Sequence, residues 1–194
     1  MNFTQNKGSL LKLGIFIMAI IICVVGVSIA FKYVGEKKAI NTETKVQNAL
    51  ENIKVAERTR VDSLQALADS TKSYTKTEER IHTQIAAARK NIEDANFEEA
   101  NLNINSAIKI IQEAYPNLES SDLYKQYNNE VTICNRNIEE ARKSYNKVLR
   151  EYENLIRDPF WRGIIAKTGY EKVEFVKLSE TLGDNQDMPK INWD

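Results

Sequence analysis

Histidine is nearly missing from this 194-residue chain, which has only His82. Cysteine occurs twice, proline three times and glycine seven times. With a single histidine, the Glu-x-x-His pairs that hold a di-iron centre between facing helices cannot be assembled, even though Asp62, Glu139 and Glu140 supply carboxylates. Cys23 lies in a long apolar run and Cys134 in a polar region, so there is neither a CxxC metal pair nor a disulfide framework. The scarcity of glycine and proline argues against a sheet built from many tight turns and suits long helices. Gly-rich phosphate loops, GxSxG and HExxH are all absent. We therefore expect no enzyme, no catalytic residue, no cofactor and no metal. His82 should point outward beside Ile81, and Cys134 should act as a small hydrophobe.

A surplus of one charge sign is also lacking. There are 27 Lys and Arg against 27 Asp and Glu. The balance is uneven along the chain: residues 1–38 carry five lysines and one acid, leaving the remainder with 22 bases and 26 acids. A mildly acidic domain without a basic stripe is a poor nucleic-acid binder, so no nucleic-acid partner is expected.

What the chain does have is one uncharged stretch, Leu13 to Phe31, reading LGIFIMAIIICVVGVSIAF. As a helix its nineteen residues rise about 28 Å, close to the ~30 Å hydrocarbon core of a bilayer. Lys12 and Lys32 bracket it and can snorkel to the headgroups. The expectation is a flank over 1–12, a single-pass anchor over 13–34 and the lipid bilayer as a partner. A cleaved signal peptide is the competing reading, because Ser28-Ile29-Ala30 offers small residues, but the run exceeds the usual apolar core of such signals. Lipoprotein processing is disfavoured by Ile22 before Cys23, where a small side chain is needed. The flanking lysines lean slightly towards a cytoplasmic C-terminal side.

Beyond the run, apolar spacing turns helical. Val46, Leu50, Ile53 and Ala56 step by three and four, and Glu57, Arg58 and Arg60 interrupt them. Asp62-Ser-Leu-Gln65 has the spacing of a helix cap, which places helices at about 41–59 and 62–94, with one helix through both as the runner-up. The second stripe takes Leu64, Leu67, Tyr74, Ile81, Ile85, Ala88 and Ile92. Asn96 caps a third helix that Pro116 ends near Ala114. Ser120 or Ser121 caps a fourth, whose seam is Leu123, Tyr127, Val131, Cys134, Ile138, Ala141, Tyr145, Val148, Tyr152 and Leu155, a coiled-coil-like spacing. Pro159 stops it. FWRGIIAKTG reads as a short helical turn ending at Gly169, YEKVEFVKL as strand-like or another turn, and 179–194 as a loose tail. ARKNIEDANFEEANLNINSAIKI has the flavour of a tetratricopeptide hairpin, but one hairpin makes no solenoid.

The segments EAYPNL (113–118) and EEARKSYNKVLREYENLI (139–156), the latter followed by a proline, resemble the second half of the LemA family. These are bacterial proteins with an N-terminal membrane segment and a helical domain. Arg60-Val61-Asp62 followed by Leu64 and Leu67 resembles the family's first-half motif, and the likeness covers roughly 45–176. The chain departs from the pattern in having Gln65 for a usual proline, Asn135-Arg136-Asn137 for Glu-Asn-Arg, Tyr152-Glu153 for Tyr-Asn and Asp158-Pro159 for Phe-Pro. The resemblance implies an antiparallel four-helix bundle, here over 41–178, so the expected class is all-α with a transmembrane helix ahead of the bundle. It implies no reaction. Some LemA-like proteins look like exported lipoproteins, which implies a domain outside the bacterial cytoplasmic membrane, against the lysine count.

Two groups of residues are candidates for function. Glu57, Arg58, Arg60 and Asp62 form a polar layer, either a buried ion pair fixing register or a binding spot, and Arg60 and Asp62 with Arg136 or Arg142 form a candidate polar network. Tyr115, Phe160, Trp161 and Arg162 are candidate partner contacts, the alternative being to plug the bundle's ends. Asn146 joins them as the one residue near the seam that packing does not explain. We expect a structural or adaptor protein that tethers a protein partner, or a second copy of itself, at the membrane. The alternatives are an accessory factor for envelope proteolysis or remodelling, and a lipid- or peptide-binding bundle. A continuous apolar groove would mark the last of these.

Overall fold

In the computed structural model, the structure describes residues 3–71, 76–116, 118 and 122–179, with backbone alone over 3–11. Among these residues there are five helices and no strand: α1 (Phe3–Ser70), α2 (Lys76–Glu93), α3 (Phe97–Ala114), α4 (Asp122–Arg157) and α5 (Pro159–Ile165). The all-α expectation holds. The chain divides into two compact units: one holds residues up to Thr44 with Arg150–Glu174, and the other holds Lys45–Leu149 with the chain from Phe175.

Helix α1 corrects the expected break near residue 60. The apparent interruption is the stripe itself. Val46, Ala49, Ile53, Glu57, Arg60, Val61, Leu64, Leu67 and Ala68 are all buried at three- and four-residue steps, with Glu57 and Arg60 as polar members. Leu50 and Ala56, expected inside, are half-buried. Asp62 caps nothing, because without a proline at 65 an Asp-x-x-Gln sequence can ride mid-helix. Its carboxylate pairs with Arg89, and Gln65 bonds Asp69 one turn on. The runner-up, one helix through to residue 94, also fails. The stop comes at Ser70-Thr71, whose hydroxyls bond the Leu67 and Ala68 carbonyls and satisfy the end of the helix. Tyr74 and the proposed Ser120 and Ser121 caps lie outside the described residues, as does the expected tail from 180 on.

Helices α2 and α3 form the second unit's hairpin. Ile81, Ile85, Ala88 and Ile92 line the inner face of α2, with Glu78 and Glu79 in its first turn, where the helix dipole favours acids. On α3 the Asn96 side chain accepts from the Glu99 N–H, and the helix ends at Tyr115-Pro116. Between the two, Ala95 sits at φ 56°, and the Ala95 and Asn96 N–H groups close the turn onto Ile92 and Asn91.

Helix α4 keeps most of the expected seam, from Tyr127 through Val131, Cys134 and Ile138 to Tyr145, Tyr152 and Leu155. Leu123 is exposed and Ala141 and Val148 are half-buried, while Tyr124, Arg142 and Leu149 take the inward places. A straight helix drifts by about 20° per heptad from a 3.5-residue repeat, so the buried stripe slides by one residue.

In the first unit, Ala39, Leu155 and Ile165 form a small core, with Ile156, Trp161 and Tyr170 packed on it. Asp158 caps α5 by accepting from the Phe160 and Trp161 N–H groups at 2.9 and 3.0 Å, and Pro159 opens the helix. Gly169 at φ 84° then turns the chain into segment 170–179, which has no regular secondary structure. This segment is neither the strand nor the further turn offered as alternatives.

Ala95 predicts its own improvement. A left-handed alanine is strained by about 1–2 kcal/mol, and glycine there returns part of that as chain entropy. Ala95→Gly should raise stability by about 1 kcal/mol in thermal melts of the detergent-solubilised chain. A lower melting temperature would show the turn to be unstrained.

Candidate functional site

The largest fully buried side chain in the second unit is an arginine, Arg60. Its guanidinium meets the Glu57 carboxylate at 2.7 Å one turn back on α1, and it donates to the Asn101 carbonyl on α3. Arg142 of α4 reaches the other Glu57 oxygen at 3.1 Å. Glu57 and Arg60 are 0% exposed, Arg142 3% and Asn101 4%. One carboxylate thus lies between two guanidinium groups where solvent does not reach. The face of the Phe97 ring lies 6.0 Å from the Arg142 carbon and supplies further negative potential. Burial pulls the Arg142 pKa down, opposed mainly by the charge of Glu57. A carboxylate enclosed in this way ties α1, α3 and α4 together and presents no proton acceptor to an entering molecule.

Of the four residues expected in a network, the structure brings Arg60 and Arg142 together and separates the other two. Asp62 is directed to the surface, where it meets Arg89 at 2.9 Å. Arg136 is exposed on the outer face of α4. Helical geometry decides this, because positions 60 and 142 lie on buried stripes and 62 and 136 do not. Asn101 was missed. Its signal was an amide at a stripe position, four residues after Phe97 and three before Ile104.

A second set of polar side chains on α4 holds segment 170–179. Within the second unit, the Tyr145 hydroxyl donates to the Val176 carbonyl at 2.8 Å. The Asn146 amide donates to the Leu178 carbonyl at 2.6 Å and accepts from the Leu178 N–H at 3.2 Å. Asn146 is therefore explained, and it is 1% exposed. Its amide pairs with a peptide unit as a neighbouring strand would, which corrects its place among the partner contacts. Within the first unit, the Tyr152 hydroxyl accepts from the Val173 N–H at 3.1 Å and lies 3.0 Å from the Tyr170 hydroxyl. Tyr170 donates to Glu43 at 2.6 Å. Burial, with Glu43 alongside, raises the Tyr170 pKa, and burial raises that of Tyr145.

The other candidates are dispersed. Tyr115 is the half-buried C-cap of α3, and Arg162 is exposed. Phe160 is 57% exposed and meets Phe31 edge-on, while Trp161 is half-buried under Lys38. His82 lies 3.0 Å from Gln65, and burial raises the Cys134 thiol pKa. Among the described residues no group of three His, Cys, Asp or Glu side chains could hold a metal. A groove of about 460 Å³ runs between α2 and α3 and is lined by Glu79, Arg80, Lys109 and Glu113 with Ile110. From Leu13 on, the apolar run of α1 is exposed throughout, long and apolar enough to cross a membrane, and none of its most apolar window is buried.

A family model for the LemA family matches residues 49–193. Among curated proteins, the chain is 25% identical over 146 residues to "Protein LemA" of Metamycoplasma hominis, an alignment covering 71% of this chain. It covers 66% of that relative's length, so the chain spans slightly less than two thirds of the protein it matches. No solved structure matches significantly.

The two polar sets predict different losses. Glu57→Gln leaves two guanidinium groups buried around a neutral amide and should cost about 3–5 kcal/mol. The triple change Glu57→Leu, Arg60→Met, Arg142→Met removes every charge and should recover most of that loss in thermal melts. A triple variant as unstable as the single one would contradict the charge-compensation account. Asn146→Leu removes two hydrogen bonds of about 1 kcal/mol each, so trypsin should cut after Lys177 at least about tenfold faster. Cleavage at the wild-type rate would show that the amide does not hold the segment.

Proposed function

This chain belongs to the LemA family, and from that premise we propose that it is a single-pass membrane protein whose helical bundle tethers a protein partner at the bilayer. The observation that carries the proposal is the apolar surface of α1. From Leu13 to Val34 its large side chains stand about half to two-thirds exposed, with no protein cover. In water that surface far exceeds what a monomer tolerates, whereas in a bilayer it is matched by lipid. We assign no reaction, because the family name supplies none.

The tethering reading is favoured over a lipid-binding bundle by the character of the α2–α3 groove. Its lining is charged, whereas an acyl chain needs an apolar one. The mechanism would be confinement: an anchor that holds a weakly binding surface beside its partner raises the effective concentration without any new contact. The partner is another membrane protein or a second copy of this chain. We place the bundle on the outer side of the bacterial cytoplasmic membrane.

Two measurements test this. In intact spheroplasts, external protease should digest the bundle and leave a membrane-embedded fragment, and a bundle that survives until lysis would put it on the cytoplasmic side. Photo-crosslinkers at exposed bundle positions such as Leu102 and Ile133 should each yield the same protein partner. If repeated experiments gave no reproducible adduct, tethering would lose its support.

A further inference from the structure

We propose that α5 is a bilayer-contact element, with the Phe160 and Trp161 rings seated in the interfacial layer where α1 leaves the hydrocarbon. This rests on the membrane-anchor reading and extends it to a second, sequence-distant segment. Four observations, all within the first unit, support it. First, Phe31 is the last residue of the uncharged run, and its ring packs edge-on against Phe160, with centroids 6.1 Å apart at 87°. Phe31 is 46% exposed and Phe160 57%, so the pair remains open to its surroundings rather than filling a core. Second, Phe160 meets Trp161 edge-on at 5.1 Å, extending the aromatic surface.

Third, the level of α5 along α1 is set by two contacts. Gly35 is buried against Ile164, where an added Cβ would come within 2.6 Å of the isoleucine methyl. The Lys38 ammonium lies 4.2 Å from the Trp161 ring centre. Along a helix, Gly35 is about 6 Å and Lys38 about 10 Å beyond Phe31. The headgroup layer is roughly 5–8 Å deep on each side of the hydrocarbon. A run that ends at Phe31 therefore puts Phe160 at the acyl boundary and Trp161 among the headgroups. Fourth, the chemistry suits that depth. Aromatic rings with one apolar and one polar edge collect at this layer, and lysine stems reach past it to water. Tyr33 and Lys32 on α1 and Arg162 on α5 are exposed around the same level. Two chain segments then fix the anchor's depth, and α5 acts as a stop that keeps α1 from sliding further into the bilayer.

The test uses the full chain in phosphatidylcholine vesicles with Trp193→Phe, so that Trp161 is the sole tryptophan. Bromines near the carbonyl end of the acyl chains should reduce its fluorescence about twofold, and bromines near the methyl end should do less, as for a ring at the headgroup level beside the acyl boundary. Labelling of Cys23 by a membrane-impermeant maleimide, mapped by mass spectrometry, tests the anchor separately. Cys23 should label only after denaturation. Cys23 shielded with Trp161 unquenched at either depth would overturn the role of α5 and leave the anchor standing. Cys23 labelled in intact vesicles would overturn the anchor reading and this inference together. Equal quenching at both depths would overturn the interfacial placement.

Discussion

The buried Glu57 carboxylate constrains the rest of the second unit. At 0% exposure it has no water to stabilise it, so the fold must bring cations to it. One comes from its own helix and the other from α4, 85 residues away in sequence. Two guanidinium groups overcompensate one carboxylate, and the excess is met by the Asn101 carbonyl from α3 and the Phe97 ring. Sliding α1, α3 or α4 by a turn would keep apolar residues against apolar residues but leave a charge without its partner. Apolar stripes alone define a bundle up to such slides, and the ionic layer removes the degeneracy. That Ile53, Leu64, Ile104, Ile108 and Ile138 all pack to near-zero exposure is consistent with a single register.

Segment 170–179 poses the opposite problem. It has no helix or ladder of its own, yet its backbone groups need partners wherever it lies against protein. Tyr145, Asn146 and Tyr152 supply them, and each does so from the edge or middle of an otherwise apolar seam. The stretch from 139 to 156, on which the family resemblance chiefly rests, therefore contains the side chain that closes the ionic layer and those that hold the C-terminal segment. A motif of this kind is a signature of a fold. It need not mark a site where a substrate is handled, and the side chains that make these contacts, Arg142, Tyr145, Asn146 and Tyr152, are all buried.

How much of this was legible follows from what determines each feature. Helices α3 and α4 are local, because apolar periodicity, the Asn96 cap and the prolines at 116 and 159 specify them, and they lie where spacing places them, whereas α2 matches the expected 62–94 helix only from Lys76 to its end. The continuity of α1 past residue 60 is hidden in the sequence because Glu57 and Arg60 look like interruptions of a stripe to which they belong. Polarity signals exposure only when the partner is out of reach, and Arg142 is remote in sequence. That Arg60 and Arg142 meet at Glu57 is hidden in the sequence, because the seam spacing puts Ala141 rather than Arg142 inside. The Ser70-Thr71 stop lies in a polar cluster, DSTKS, without glycine or proline, which in sequence looks like the outer face of a continuing helix. The docking of 170–179 was not legible, because its partners are three hydrogen-bonding tips that the seam pattern assigns to packing.

A tethering function also fits how little the bundle displays on its surface. Val55, Leu102 and Ile133 are each about half exposed or more, yet they stand on three different helices as single residues. Scattered apolar residues are ordinary, and among the described residues the long exposed apolar surface is that of α1 from Leu13 to Val34. A protein that had to capture its partner from free solution would need a dense, largely desolvated contact to offset the lost translational freedom. Confinement to one bilayer offsets part of that loss in advance. A contact too weak to detect between free domains then becomes well populated. The ionic layer and the clamped segment 170–179 hold the shape of the surface that would meet such a partner.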